Sequence, residues 1–364
     1  MKKINLAVIF GGKSGEHEVS LKSANQVMES LDKEKYNIFP IAIAKSGHWL
    51  LGQKGAEYIE VNLPKAQTEG GISLEQSRSL VEVKDNKPSI NNFYQGDISA
   101  EGIDLVLPIA HGSFMEDGKL QGMLDMLGIP YVFSGTLASA LAMNKKKTKI
   151  IAKAVGLKIA KDEIVKKNKK YNSDKIIKKL SLPIVIKPSE LGSSVGTSLA
   201  NTKEELEEGI EKALQFGDEI ILEQFIKGRE LTVAVMGDKS PKALPVIEII
   251  PKVSGWFDYR AKYEIGGSEE VCPADIPEEI KRKTQGYAVK IFKALGCLDL
   301  ARADFIWNES DGKIYFLEIN TIPGMTATSL APQAAATAGM KFSEFLDKLI
   351  LGALKRHERN KRKN

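Results

Sequence analysis

Charged and amide side chains interrupt two apolar, strand-like segments near the end of this sequence. Arg302 and Asp304 lie two residues apart in ARADFIW, and Glu318 and Asn320 lie two residues apart in KIYFLEIN. Side chains alternate between the two faces of a strand, so each pair shares a face. The intervening NESDG is a hairpin signal. A three-residue loop centred on Asp311 would pair Asp304 with Glu318 and Arg302 with Asn320.

These four side chains would form a patch suited to a divalent cation. Two neighbouring carboxylates repel each other unless they share a proton or a cation. Carboxylate and amide oxygens suit Mg²⁺, which commonly completes its coordination with substrate phosphates. The alternative is an exposed sheet face with an ordinary lattice of salt bridges, and this segment alone does not decide between the two.

The segment KPSELGSSVGTS has the composition of a phosphate-binding loop. A predicted strand ends at Lys187, and the Gly/Ser loop that follows can turn backbone N–H groups toward a phosphate beside the lysine ammonium. The GGKS sequence at residues 11–14 is not a Walker A motif, because the first glycine of that motif would fall on Ala7.

Two later stretches could also meet a ligand. Glu223 ends one predicted strand and Glu230 opens the next, so their linker could contact an adenine and a ribose; a surface hairpin with acidic residues is the alternative. The loop at residues 255–275 is typical of an active-site lid, with Lys262 and Tyr263 as its working residues. Its aromatic residues could instead serve only as anchors.

Titratable side chains also follow two apolar strands in the first third of the chain. Glu16, His17 and Glu18 come after the first strand, where we expect one to contact a ligand and the others to cap a helix or be solvated. His111 follows another buried strand, and for this residue a functional and a structural role are both open.

The order of the predicted elements indicates an open parallel α/β domain followed by α+β structure. Apolar strands are predicted at residues 4–10, 38–44 and 103–110, and helices at residues 21–31 and 120–127. Ligand loops of such domains follow the carboxyl ends of the strands. From about Pro183, short strands closed by Gly turns indicate two further, largely antiparallel domains, with helices at residues 278–295 and 342–354.

Composition excludes several classes of protein. A chain of 364 residues with 43% apolar and 27% charged residues suits a soluble protein of two or three domains. The first apolar run is too short for a signal peptide, and no stretch approaches the roughly 20 apolar residues of a membrane helix. Two cysteines, Cys272 and Cys297, cannot form a disulfide framework, so a cytoplasmic location is expected.

The net charge of +5 is concentrated at the C-terminus. The last ten residues hold six Lys/Arg and one Glu, so the rest of the chain is neutral overall. We interpret this segment as a frayed, solvated tail and not as a nucleic-acid-binding arm.

Eight motifs together resemble the D-alanine–D-alanine ligase family of the ATP-grasp superfamily. They are GGKSGEHEVSL, HGSFMEDGKLQG, SALAMNKKKTK, IKPSELGSSVGTS, ILEQFIKGREL, YRAKY, ARADF and LEINTIPGMTATSL. The resemblance implies a three-domain ATP-grasp fold, α/β and α+β, with an N-terminal open parallel α/β domain. The implied domains are residues 1–133, a central subdomain at 134–223, a C-terminal subdomain with the lid at 224–350, and a helix end with the basic tail at 351–364.

The resemblance also implies substrates, metals and residue roles. The carboxylate of one D-alanine attacks ATP to give an acyl phosphate, and the amine of a second D-alanine displaces the phosphate. Two Mg²⁺ or Mn²⁺ ions are implied, held by Asp304, Glu318 and Asn320. The implied ATP contacts are Lys145, Lys187, Ser194, Glu223, Ile226 and Glu230.

Eight residues are implied to bind D-alanine or stabilise the reacting groups. Arg302 and the N–H of Gly324 would stabilise the tetrahedral oxyanion, Ser329 would bind the second carboxylate, and His111 would lie beside the first D-alanine. Glu16 would bind the first ammonium and would be tied to Ser193 of the phosphate loop and Tyr263 of the lid, while Lys262 approaches the phosphoryl group.

Several positions depart from the family pattern. Asn144 replaces the usual Asp before the ATP-binding lysine, Phe114 and Met115 replace smaller residues, and Phe133 stands where Gly is usual. Tyr263 resembles the dipeptide-forming members, whereas D-lactate ligases typically carry His there. D-alanine–D-serine and D-alanine–D-lactate ligases, and other carboxylate–amine ligases, remain alternatives. A homodimer in peptidoglycan precursor synthesis is implied, with neither nucleic acid nor membrane as a partner.

Overall fold

The structure is a computed structural model that describes residues 2–63, 102–190, 196–252 and 266–361. Its described residues form three β-sheets. No helix in these ranges is long and apolar enough to cross a membrane.

The N-terminal body is a four-stranded sheet with helices packed against it. Its elements are β1 (Ile4–Gly11), α1 (His17–Ser30), β2 (Tyr36–Ile43), β3 (Trp49–Leu51), α2 (Gln53–Asn62), β4 (Leu105–Ile109) and α3 (Lys119–Met126). The strand order is β3-β2-β1-β4, with β1 parallel to both β2 and β4 and only β3 antiparallel. The loops after β1 and β4 therefore emerge at the same edge of the sheet, which confirms the predicted open α/β domain.

Three elements connect this body to the rest of the chain. They are α4 (Thr136–Met143), α5 (Lys145–Ala154) and β5 (Lys158–Ile159). Strand β5 pairs with the C-terminal sheet, and Ala142 and Ala152 of the two helices belong to the core of that sheet. The domain bounds given above stay a prediction.

The central sheet has four antiparallel strands in the order β6-β9-β7-β8. Its elements are β6 (Asp162–Lys166), α6 (Ser173–Leu180), β7 (Ile184–Pro188), β8 (Ser198–Ala200), α7 (Lys203–Ala213) and β9 (Glu219–Gln224). One face of the sheet buries a core of aliphatic residues under α6 and α7.

The C-terminal sheet has seven strands and carries most of the candidate site. Its elements are β10 (Arg229–Gly237), β11 (Lys242–Ala243), β12 (Ile247–Pro251), β13 (Ser268–Val271), α8 (Glu278–Leu295), β14 (Asp299–Asn308), β15 (Lys313–Asn320), α9 (Leu330–Thr337) and α10 (Phe342–Lys361). The order is β13-β12-β10-β14-β15-β5, and β11 pairs with β10. Phe345 and Ile350 of α10 share one buried core with Phe10 and Leu107 of the N-terminal sheet.

The predicted frayed tail is wrong for the residues that the structure describes. Helix α10 continues to Lys361 instead of ending at Leu354. Arg356 is buried, donates to the Asp299 carboxylate, and lies 2.8 Å from the carbonyl of Tyr131. A count of charges missed this arrangement because it treats a solvated arginine and a buried, paired arginine alike.

Candidate functional site

The candidate site is a cavity of about 340 Å³ between the N-terminal body and the C-terminal sheet. Glu16 and His111 line it from the N-terminal side, and Lys145 lines it from the start of α5. The C-terminal side contributes the predicted residues Arg302, Glu318, Asn320, Gly324 and Ser329. Segments that are distant in the sequence thus converge on one space, as an active site requires.

The hairpin of β14 and β15 has the predicted pairing at the cavity, although the predicted loop was wrong. Arg302 pairs with Asn320 and Asp304 with Glu318, but beyond them Phe305 pairs with Phe316. The connection has four residues, not three, and a register shift after Asp304 compensates for the extra residue. Such a bulge is common beside active sites, where it turns a side chain toward a ligand.

The side chains of this hairpin form a compact polar cluster. The Arg302 guanidinium contacts the Asp304 carboxylate with Nε–Oδ1 and Nη2–Oδ2 distances of 2.9 Å each. Thr232 of β10 also donates to Asp304, which is 6% exposed. Lys145 Nζ lies 3.3 Å from Oε2 of Glu318. The carboxylate oxygens are thus held in place by positive neighbours.

The predicted oxygen ligands fit a hard cation in their chemistry. Asp304 and Glu318 are direct cross-strand neighbours, and Asn320 follows on the same face. The Asn320 Oδ1 accepts the N–H of Ile322 at 2.9 Å, which leaves a second lone pair on that oxygen. No group of three His, Cys, Asp or Glu side chains forms a metal site within the described ranges. The candidate set is therefore two carboxylates and one amide, which suits Mg²⁺ or Mn²⁺ better than zinc.

The turn after β15 places Gly324 against Ser329. A Cβ atom at Gly324 would lie 2.9 Å from the Ser329 Oγ, so a side chain at this position would collide with the serine. The Ser329 Oγ accepts the N–H of Thr326 at 3.2 Å and lies 2.7 Å from the Thr326 hydroxyl. Thr326 and Thr328 also line the cavity, and the sequence analysis had missed both.

His111 forms a buried pair with Glu116, an acidic residue that the sequence analysis did not single out. The His111 Nδ1 lies 3.8 Å from Glu116 Oε1 and 3.1 Å from the carbonyl of Ile322. Burial lowers the pKa of His111, but the hydrogen bond and charge of Glu116 outweigh it and raise the pKa overall. The His111 Nε2 is buried and has no hydrogen-bond partner in the described part of the chain. Glu116 could have been found from the sequence, because it is an acidic residue in the loop that begins at His111.

The loop that carries Glu16 is fixed by His17 and Ser20. The His17 Nδ1 lies 2.7 Å from the Gly12 carbonyl, and its Nε2 lies 3.3 Å from the Tyr58 hydroxyl. The Gly11 N–H donates to the Ser20 Oγ at 2.7 Å. His17 is fully buried, so the expectation that it caps a helix or is solvated was wrong; burial also lowers its pKa.

A second polar cluster lies between α5 and the central sheet. Lys187 at the end of β7 and Lys149 of α5 contact the same carboxylate, that of Glu223, at 3.0 and 2.7 Å. Glu223 is 5% exposed, which excludes the alternative of a surface hairpin with acidic residues. Strands β9 and β10 also belong to different sheets, so the linker between Glu223 and Glu230, which contains the buried Ile226, joins two bodies.

Four predicted site residues lie outside the described residues. They are Ser193 and Ser194 of the phosphate loop and Lys262 and Tyr263 of the lid segment.

Three residues that depart from the family pattern have a clear structural setting. Asn144 caps α5 by accepting the N–H of Lys147 at 2.9 Å and donates to Glu190 at 2.7 Å, so it performs the cap that an Asp would provide. Phe133 is fully buried and has a φ of 77°, a conformation that favours glycine. Phe114 has a φ of 73° and is 51% exposed.

Comparisons with known proteins show the family of this chain. Residues 5–134 match the family described as D-ala D-ala ligase N-terminus, and residues 151–351 match D-ala D-ala ligase C-terminus. The D-alanine–D-alanine ligase of Natranaerobius thermophilus is 39% identical over 369 residues, covering 100% of this chain and 98% of that protein. The enzyme of Acetivibrio thermocellus is 38% identical over 369 residues, covering 98% of each.

Solved structures with the same fold include two ligases. The VanG D-Ala:D-Ser ligase from Enterococcus faecalis has a TM-score of 0.79 and 36% identity, covering 96% of this chain and 99% of its own. The D-alanine–D-alanine ligase from Bacillus anthracis complexed with ATP has a TM-score of 0.73 and 28% identity, covering 98% of this chain and 99% of its own.

Proposed function

Because the chain belongs to the D-alanine–D-alanine ligase family, we propose that it joins two D-alanines to D-alanyl-D-alanine at the expense of ATP. The products are the dipeptide, ADP and phosphate. The observation that carries this proposal is the convergence of Glu16 and His111 with Arg302, Glu318 and Ser329 around one cavity. This arrangement offers an ammonium site, a carboxylate site and positive groups around a common centre.

The first step is the attack of a D-alanine carboxylate on the γ-phosphate of ATP. Glu16 would bind the ammonium of this D-alanine, and His111, whose pKa is raised by Glu116, would lie beside it. Lys145 and Lys187 would contact the phosphates as positive charges, and Lys262 would approach the transferred phosphoryl group. The step forms an acyl phosphate and releases ADP.

The nucleotide would lie between the central and C-terminal sheets. Glu223 and Ile226 would meet adenine through their backbone groups, Glu230 would meet the ribose, and Ser194 would bind phosphate. Glu223 and Ile226 lie at and just beyond the end of β9, before the linker enters β10. In this position the linker would follow an adenine along the junction of the two sheets.

Asp304, Glu318 and Asn320 would hold two Mg²⁺ or Mn²⁺ ions, which neutralise charge on the phosphates when bound. The all-oxygen donor set and the cross-strand position of the two carboxylates support this assignment. The same residues hold Arg302 and Lys145 in place, so the positive side chains and the metal ligands form one connected group.

The second step is the attack of the acceptor amine on the acyl phosphate. Arg302 and the N–H of Gly324 would stabilise the oxyanion of the tetrahedral intermediate, each donor contributing about 3 kcal/mol. Ser329 would bind the acceptor carboxylate; the hydroxyl of Thr326 at 2.7 Å orients its Oγ. Ser193 and Tyr263 would tie the phosphate loop and the lid to Glu16 over the reacting groups.

D-serine is the second candidate acceptor. The VanG D-Ala:D-Ser ligase shares 36% identity with this chain, which is the observation in its favour. Tyr263 at the lid position favours an amine acceptor over D-lactate. We place the enzyme in the cytoplasm, in peptidoglycan precursor synthesis, as a homodimer without nucleic-acid or membrane partners; the free Cys272 and Cys297 support a reducing compartment.

One assay tests the proposal and separates the acceptors. ADP release is measured with ATP, Mg²⁺ and increasing D-alanine, and then with D-serine or D-lactate added at low D-alanine. We expect turnover with D-alanine alone and D-alanyl-D-alanine as the product. No turnover with D-alanine alone, together with a mixed product when D-serine is added, would assign the enzyme to the D-serine group. No turnover in any mixture would refute the proposal.

A further inference from the structure

Lys149 lies on helix α5, one turn beyond Lys145, and the proposed reaction steps give it no role. Lys149 is 3% exposed, and its Nζ donates to Oε1 of Glu223 at 2.7 Å. The same Nζ lies 3.4 Å from the carbonyl of Ala160. Lysine is almost never buried this deeply unless it is paired. The Glu223 carboxylate therefore makes the position of Lys149 possible.

Glu223 is shared between two ammonium groups that come from different elements. Its Oε2 accepts from the Nζ of Lys187 at 3.0 Å, while Oε1 accepts from Lys149. Burial raises the pKa of Glu223, but the charges of Lys187 and Lys149 outweigh it and lower the pKa to about 2. The carboxylate is thus ionised at neutral pH.

The two lysines differ in their freedom to leave this carboxylate. The side chain of Lys187, the penultimate residue of β7, is 18% exposed, whereas that of Lys149 is 3% exposed. In this structure Lys187 contacts Glu223, so to meet a phosphate it would have to turn away from that carboxylate. A buried carboxylate that loses its only partner is strongly unfavourable. With Lys149 still on Oε1, Glu223 keeps a partner when Lys187 moves.

We propose that Lys149 is a positioning residue for nucleotide binding, which keeps Glu223 paired while Lys187 transfers its contact to a phosphate. The inference rests on the proposed function and deepens it. Lys145 and Lys149 lie one turn apart on α5, so they share a helix face. Lys145 contacts Glu318 of the C-terminal sheet and Lys149 contacts Glu223 of the central sheet. Helix α5 therefore connects both walls of the nucleotide cleft.

Titration calorimetry with ADP and Mg²⁺ tests this role. We expect Lys149→Met to weaken ADP binding about ten- to hundredfold, because Lys187 becomes the only partner of the Glu223 carboxylate among the described residues. The double variant Lys149→Met/Glu223→Gln should regain most of the lost affinity, because a neutral residue 223 no longer retains Lys187. In steady-state kinetics Lys149→Met should raise the KM for ATP and leave the KM for D-alanine within about twofold.

Lys146→Met is the matched control. Lys146 lies on the same helix and its Nζ contacts Glu219 of the same strand at 3.2 Å, but its side chain is 32% exposed. Its replacement should change ADP affinity by less than about twofold, since exposed ion pairs contribute little.

The inference is overturned if Lys149→Met binds ADP as the wild type does, or if the folded double variant is no better than Lys149→Met. If Lys149→Met does not fold, the ADP affinity of the double variant is compared with that of Glu223→Gln to test the inference. Equal ADP affinity of these two supports the inference, because Lys149 then acts only through Glu223, and a further loss in the double variant overturns it. Failure of the wild type to bind ADP would refute the proposed function itself.

Discussion

Replacing Arg356 with methionine tests the ion pair that joins the C-terminal helix to the start of β14. The Asp299 side chain is 3% exposed and that of Arg356 is 11% exposed. Removing one partner of such a buried pair costs about 3–5 kcal/mol. We expect Arg356→Met to lower the free energy of unfolding by about 3 kcal/mol at pH 7.5, the lower end of this range. The reason is that the N–H of Phe133 still donates to Asp299 at 2.8 Å.

The destabilisation by Arg356→Met should depend on pH, and the pKa of Asp299 determines the direction of this dependence. Burial raises the pKa of Asp299 to about 6, although Arg356 opposes this shift. This value lies above the unfolded pKa of about 3.9, so the contribution of Asp299 to wild-type stability falls as pH rises between the two values and is constant above them. Without Arg356 the folded pKa rises further, and stability keeps falling above pH 6 by up to about 1.4 kcal/mol per pH unit.

Urea unfolding followed by circular dichroism between about pH 5.5 and 8 measures the difference. Arg359→Met is the control, because its pair with Asp238 is more exposed, at 34% and 27%, and should contribute less than about 1 kcal/mol. The double variant Arg356→Met/Asp299→Asn should lack the pH-dependent part of the destabilisation, because residue 299 then no longer titrates. The reasoning is refuted if Arg356→Met costs no more than Arg359→Met, or if its cost is the same at every pH.

Three further predictions concern the cavity. Glu318→Gln should lower ATP turnover at least about a hundredfold without changing the melting temperature. Asp311→Asn, in the exposed turn of the same hairpin, should leave ATP turnover unchanged. An active Glu318→Gln enzyme would contradict the metal assignment. Ser329→Ala should raise the KM for the acceptor about tenfold and leave the KM for ATP unchanged, and equal effects on both would argue against a carboxylate site. Glu116→Gln should lower the pKa of His111, since Glu116 raises it against burial. NMR titration measures this pKa directly because the chain has only four histidines, and an unchanged value would count against the pair.

Much of the fold could be predicted from local patterns. Helix α8 has the predicted bounds, Glu278–Leu295, and β1 is the predicted buried parallel strand. The pairing of Asp304 with Glu318 was also correct. Alternation and helical periodicity are properties of neighbouring residues, so the sequence contains them directly. The length of the hairpin loop was wrong because a bulge shifts the register without leaving a pattern in the sequence.

The sequence by itself determined the family and the order of the main elements, and it predicted the residues that are proposed to carry the chemistry. Only the tertiary structure decided which charges meet across long separations. Lys149 and Glu223 are 74 residues apart, and Arg356 and Asp299 are 57 residues apart. Whether a charged side chain is solvated or buried against a partner depends on how distant elements pack and exclude water. For this reason Lys149 of a lysine-rich helix is buried against Glu223, and Arg356 of an apparently frayed tail lies in the interior.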